Sequence, residues 1–261
     1  MLRSLYTGSS GMIAQQLNID NIAHNMSNVS TFGYKKQRIE FHDLIYQQIK
    51  RPAATTEIIE PLGLSVGLGV RPAATNTLFA QGSFQDTGNM LDVAIHGLGF
   101  FQVQVPGYDE PVYTRNGAFN IDAEGNLVTS DGYLVLYVDP FPEEAFDATV
   151  DWDGRVTFKI PGTDEVQEAG YLELVKFINP PGLEKLGGTL FLQTANSGEA
   201  IVWDPATDPS VKLEAGYLEM SNVQVVEEMV GLITAQRAYE INSKVIQSSD
   251  EMLQTATNLK R

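Results

Sequence analysis

The chain has 261 residues and no cysteine, which excludes a disulfide scaffold and a thiolate metal site. Hydrophobic residues make up 43% of it, enough for most of the chain to fold around a core. The formal net charge of −16 argues against nucleic acid as a partner, because phosphate binding needs a basic footprint.

That charge is unevenly placed. Residues 1–51 carry six Lys/Arg against three Asp/Glu, whereas residues 139–214 carry five against fifteen. The acidic middle predicts a soluble outer surface that repels anions. No run approaches the roughly 18 to 20 apolar residues of a membrane span, so no membrane insertion is expected. The opening "MLRSLYTGSSGMIAQQ" turns polar by Thr7, so no cleaved secretory signal is expected either. Alone, these features predict a cytoplasmic protein.

Residues 1–28 place Leu5, Met12, Ile19 and Met26 seven apart, with Leu2, Ile22 and Val29 beside that line. Sevens drift slowly around a helix, so these side chains predict one apolar seam. Gly8 and Gly11 lie early, where they weaken a helix. The stretch "NMSNVSTFGYKK" (25–36) follows and holds no acid, His or Cys; a helix-ending loop is its simplest reading. Residues 51–75, with Pro52, Pro61 and Pro72 and several glycines, read as extended or loop-like.

From about residue 76 to 215 the period changes. "FFQVQV", "VYTRNGAFNI", "NLVTSDGYLVLYV", "RVTFKI" and "GYLELVKFI" alternate or are β-branched and aromatic, which predicts an all-β body. "DAEGN" (122–126) and "SDG" (130–132) are turn signals, since Gly and Asn accept positive φ.

The last 40 residues return to sevens: Val225, Leu232, Tyr239, Ile246 and Leu253, with Ala238, Val245, Met252 and Leu259 alongside. Ser221 and Gln224 read as a capping box. Glu227 and Glu228 suit the positive helix end, and Lys260 and Arg261 the negative one. A helix over 222–259 would span about 57 Å. Such a helix cannot bury its own stripe and needs a partner. The fold class expected is α+β: two terminal heptad helices in a coiled-coil layer, with a central all-β domain. The boundaries read as 1–30 with 216–261 for the helices, 31–75 for an extended linker and 76–215 for the β domain.

Catalytic patterns are weak. His24, His42 and His96 lack metal-ligand spacing. "GLSVGLG" and "HGLGFF" are neither dinucleotide nor phosphate loops. Asn120, Asp122, Glu124, Gly125 and Asp131 partly match a calcium loop, but Glu124 and Asp131 are the wrong types and the flanks are strand-like. A hairpin turn is the better reading. Glu143–Glu144 and Glu227–Glu228 are sequence neighbours whose side chains diverge, so they do not make a facing pair of acids. No catalytic, cofactor or metal residue is assigned.

"NIAHNMSNVSTFGYKKQRIEFHDLIYQ" (21–47) resembles the N-terminal signature of the flagellar rod, hook and hook-associated axial proteins. Asn25, Asn28, Thr31, Gly33 and Lys35 match its A-N-N-L-A-N-x-x-T-x-G-F-K pattern; Met26-Ser27 replace Leu-Ala and Tyr34 replaces Phe. Residues 81–103 and 113–136 resemble the family's β domain, and 216–259 its C-terminal helix. Residues 139–214 match poorly and are placed by position. Within the family, length and "VGLGVRPAAT" resemble the distal rod members most.

The resemblance implies a non-enzymatic subunit that polymerises helically into a drive shaft carrying torque from motor to hook. It implies export through the flagellar type III apparatus without a cleaved signal, which replaces the cytoplasmic expectation with a periplasmic basal body. Implied partners are copies of itself, other rod and hook proteins, the surrounding rings and the export apparatus. The expected interface is Leu5, Met12, Ile19, Ile22, Met26, Val225, Leu232, Tyr239, Val245, Ile246, Met252 and Leu253. Asn28, Thr31 and Gly33 are the expected hinge. A proximal rod subunit is the near alternative, and a glycan-acting β-domain enzyme the distant one.

Overall fold

The computed structural model describes residues 2–50, 53–54, 59–60, 63–142, 146–160, 166–205 and 210–258. Pro52, Pro61, Glu143, Glu144, Leu259, Lys260 and Arg261 lie outside them. Two helices at the chain ends flank a strand-rich middle, so the protein is α+β. The chain divides into two units. One comprises Met1–Ser27, Gln37–Asn76 and Gln224–Arg261; the other comprises Asn28–Lys36 and Thr77–Val223.

The first unit is built on helix α1 (Leu2–Ser27) and helix α2 (Val225–Asn258). At 26 and 34 residues they are about 39 and 51 Å long. Neither contains proline, and α2 folds its polar hydroxyls onto itself: Thr234 donates to Val230 O, Ser249 to Val245 O and Thr255 to Glu251 O.

The start of α2 corrects the capping-box expectation. Ser221 Oγ accepts the Val223 N–H at 3.3 Å, forming a tight turn before the helix. The helical ladder begins with Glu228 N–H donating to Gln224 O at 3.1 Å. A short serine side chain is satisfied locally and is used up before the helix begins.

The region after residue 36, read as extended, carries paired strands. Gln37–Asp43 pairs with Val70–Thr77, and Tyr46–Lys50 runs antiparallel to Leu64–Gly67 with Tyr46 opposite Gly67. Pro72 is tolerated because this sheet has only two strands and therefore free edges.

In the second unit the strands Phe119–Ile121, Leu127–Thr129, Leu134–Val135, Phe100–Gln104, Val112–Thr114, Leu190–Leu192 and Glu184–Gly187 lie side by side in that order. Leu174–Lys176 also pairs with Phe100–Gln104 and carries Ile201–Val202 on its far side. Phe146–Val150, Arg155–Lys159 and Val166–Tyr171 form a separate three-stranded sheet.

"FFQVQV" is buried on both faces. Phe101 and Val103 enter the larger core with Val93, Phe119 and Leu174, whereas Phe100 enters a smaller one with Tyr113, Phe177 and Phe191. Phe101 meets Phe119 edge-on at 5.0 Å, a geometry the ring quadrupoles favour. Residues 122–126 form the hairpin turn read from the sequence, closed by Asp122 N–H to Asn126 O at 2.9 Å.

Candidate functional site

Helices α1 and α2 pack antiparallel. Ser4 Oγ lies 3.1 Å from Ser249 Oγ near one end, and Asn25 Nδ2 donates to Glu228 Oε2 at 3.4 Å near the other. Between these points glycines on each helix face larger residues on the other. A Cβ on Gly8 would meet Ile246 Cγ1 at 3.0 Å, and one on Gly11 would meet Asn242 Nδ2 at 2.9 Å. Gly231 faces Ile22 with ordinary contact room, 3.5 Å from a Cβ to Ile22 Cδ1, and Ala14 and Ala235 are buried. The two early glycines therefore let the backbones approach closely, at the cost of helix propensity.

The signature asparagine Asn25 has a defined task here. Its Nδ2 donates to Gln37 O at 2.8 Å while its Oδ1 accepts Gln37 N–H at 2.9 Å. Asn21 Nδ2 donates to the same carbonyl at 2.8 Å. Two amides thus fasten the backbone of the first strand to the last turns of α1.

Of the residues expected at an interface, Ile22 alone is buried. Leu5, Met12, Ile19, Met26, Leu232, Ile246 and Leu253 are half-buried, and Val225, Tyr239, Val245 and Met252 are exposed. At 100° per residue, the side of each helix turned away from the seam carries further apolar residues that the heptads missed. On α1 these are Tyr6 (65% exposed) and Ile13 (56%); on α2 they are Val226 (74%), Val230 (57%) and Ile233 (46%).

The expected hinge residues belong to the second unit. Asn28 and Thr31 close a turn, with Thr31 N–H donating to Asn28 O at 3.2 Å and Thr31 Oγ1 to Asn28 Oδ1 at 3.3 Å. Gly33 is buried at φ +69°, and a Cβ there would stand 2.7 Å from Asn116 N and 2.8 Å from Arg115 C. Only glycine fits both demands. Its N–H donates to Glu219 O at 2.8 Å.

Two residues further on, Lys35 enters a buried ionic cluster. Its Nζ lies 2.6 Å from Glu219 Oε1, and Arg115 Nε lies 2.9 Å from Glu219 Oε2; all three side chains are at most 1% exposed. Further hydrogen bonds surround the three charges. Lys35 also donates to Ala80 O, Arg115 donates to Gly97 O and Gly99 O, and Glu219 accepts the Gly82 N–H. Burial, with the Arg115 cation adding to it, pulls the Lys35 ammonium down from 10.5 to about 8 against the opposing pull of Glu219. The three residues lie in "FGYKK", "YTRNG" and "GYLEM", each inside a block that carries the resemblance. Their charges are the only sequence signal for the cluster, and it is not a local one.

His24, His42 and His96 are exposed, and His96 stacks on Phe84 at 5.8 Å. Among the described residues no group of three or more His, Asp or Glu is placed to hold a metal ion. No described helix is long and apolar enough to cross a membrane.

Three family models match in order: "Flagella basal body rod protein" over residues 5–35, "Flagellar hook protein FlgE/F/G D1 domain" over 94–158, and "Flagellar basal body rod FlgEFG protein C-terminal" over 214–259. The chain is 50% identical to the flagellar basal-body rod protein FlgG of Borreliella burgdorferi, over 100% of both chains. It is 45% identical to FlgG of Agrobacterium fabrum, over 96% of this chain and 97% of that one. It is 43% identical to FlgG of Buchnera aphidicola subsp. Schizaphis graminum, over 99% and 100%.

Proposed function

We propose that this chain, which belongs to the flagellar basal-body rod protein family and is a structural subunit rather than an enzyme, builds the distal rod by helical self-assembly. The observation that carries this reading is the pair of outward apolar stripes, Tyr6 and Ile13 on α1 and Val226, Val230 and Ile233 on α2. These stripes lie on the sides of the helices turned away from the seam within the chain, so they are left for neighbours. Joined head-to-tail, the α1 stripe of one copy on the α2 stripe of the next, a contact that does not close into a ring grows into a helix.

In that assembly the half-buried rows Leu5–Met12–Ile19–Met26 and Leu232–Ile246–Leu253 make coiled-coil contacts within and between subunits. Residues 31–75 serve as the linker segment and 76–215 as the outer β domain, and Asn28, Thr31 and Gly33 fix the turn by which the chain leaves α1. The subunit joins other rod and hook proteins in the basal body after type III export, and its acidic 139–214 surface faces the surrounding rings.

The test is Ile13→Asp combined with Val230→Asp. Both positions face outward, so the monomer should keep its helical circular dichroism while polymers and motility are lost. Normal filaments from the double variant would sink the reading.

A further inference from the structure

The second unit holds a cleft of about 450 Å³ between Trp152, Tyr171, Glu173, Val202 and Asp204, floored by buried Leu172 and Trp203. Its walls are unusual for a surface. Trp152 is 61% exposed, Val202 57% and Tyr171 46%, yet the backbone beneath them is held firmly. Trp152 sits in a tight turn where Gly154 N–H donates to Asp151 O at 3.0 Å and Leu213 N–H donates to the Trp152 carbonyl at 3.2 Å. Leu172 N–H donates to Gly154 O at 2.7 Å. A rigid backbone presenting an exposed Trp and Tyr has already lost the freedom that binding would otherwise remove.

Among the described residues that line the cleft, the charged ones are Asp153, Glu173 and Asp204, all acidic. Just outside it, the protein shows how this chemistry is used. Arg155 places its guanidinium 5.9 Å from the Tyr171 ring centre, with Asp153 and Glu168 each 3.7 Å from its nitrogens. An aromatic face with carboxylates at its rim is a guanidinium seat.

The geometry points to a docking site for a basic segment of another protein, one arginine side chain lying against Trp152 with its charge met by Asp153 and Glu173. Charge complementarity selects this occupant, since an acidic or phosphorylated ligand would be repelled by the same rim. The site lies wholly within the second unit, whereas the helix stripes belong to the first.

Acetylated hexa-arginine serves as the probe, titrated into the full-length monomer while the two indole N–H resonances are followed by NMR. Saturable binding that shifts the Trp152 resonance is expected, weakened at least about fivefold by Trp152→Ala and by Glu173→Gln. Trp152→Ala leaves every charge in place, so equal binding by wild type and this variant would reduce the effect to diffuse attraction and overturn the proposal. A neutral chito-oligosaccharide shifting the same indole where hexa-arginine does not would overturn it in favour of a glycan site.

Discussion

Lys35 Nζ stands 2.6 Å from Glu219 Oε1 with both side chains out of water, and Arg115 takes the other carboxylate oxygen at 2.9 Å. Two cations therefore depend on one anion. Glu219→Gln leaves both buried and uncompensated, a loss expected at about 3–5 kcal/mol in urea unfolding. The exposed Arg38–Glu40 pair, 3.4 Å apart, is the control: Arg38→Ala should leave stability nearly unchanged. Similar losses for the two variants would mean that burial adds nothing to the cluster.

The same cluster predicts a pH dependence with a definite sign. Folding lowers the Lys35 value from 10.5 to about 8, so between those values the unfolded chain binds the additional proton. Stability contributed through Lys35 therefore rises with pH across that window and is flat below it. Burial also lowers Lys185 to about 8, but that effect is common to wild type and a Lys35→Met variant. The wild-type advantage over Lys35→Met should grow from pH 8 to 10.5. A constant or shrinking advantage would contradict a charged, desolvated Lys35.

The terminal helices were legible because their apolar residues recur by sevens, and the β body because its strands alternate between turn signals. The seam between α1 and α2 was not. Its closest approaches are made by Ser4, Gly8, Gly11, Asn25, Glu228, Asn242 and Ser249, residues that an apolar pattern passes over. What distinguishes the glycines and serines among them is small size, which acts only once a second backbone is present. The ionic cluster was hidden for another reason: Glu219 lies far along the chain from both Lys35 and Arg115, and charge alone does not say which residues meet. The strands Leu64–Gly67 and Val70–Thr77 were masked by glycine and proline, which two-stranded ribbons accept at their free edges.

The seam and the outward stripe of α1 can be separated by substitution. Gly8→Leu drives a side chain into Ile246 and should destabilise the helix pair by about 1–3 kcal/mol. Tyr6→Ser removes an exposed ring and should change monomer stability by no more than about 0.5 kcal/mol. Polymer yield should follow the reverse order per unit of stability lost. Thermal unfolding of the monomers, read beside sedimentation of the assembled product, distinguishes the two roles. A large loss of monomer stability in Tyr6→Ser would place that ring inside the subunit's own core.

Gly33 and Gly88 have the same backbone angle, φ +69°, in opposite surroundings. A Cβ on Gly88 would meet nothing within 4 Å, whereas one on Gly33 would meet the backbone of Asn116 and Arg115 at 2.7 and 2.8 Å. Alanine at Gly88 thus incurs only the left-handed conformation, about 1–2 kcal/mol. Alanine at Gly33 incurs that and must also displace backbone that cannot rotate away, adding about 1–3 kcal/mol. Because Arg115 also holds Glu219, the displacement reaches the ionic cluster, and Gly33→Ala should lower the rise of stability between pH 8 and 10.5 as well as stability itself. Equal losses for the two alanine variants would show that angle alone, and not the close approach, requires glycine at position 33.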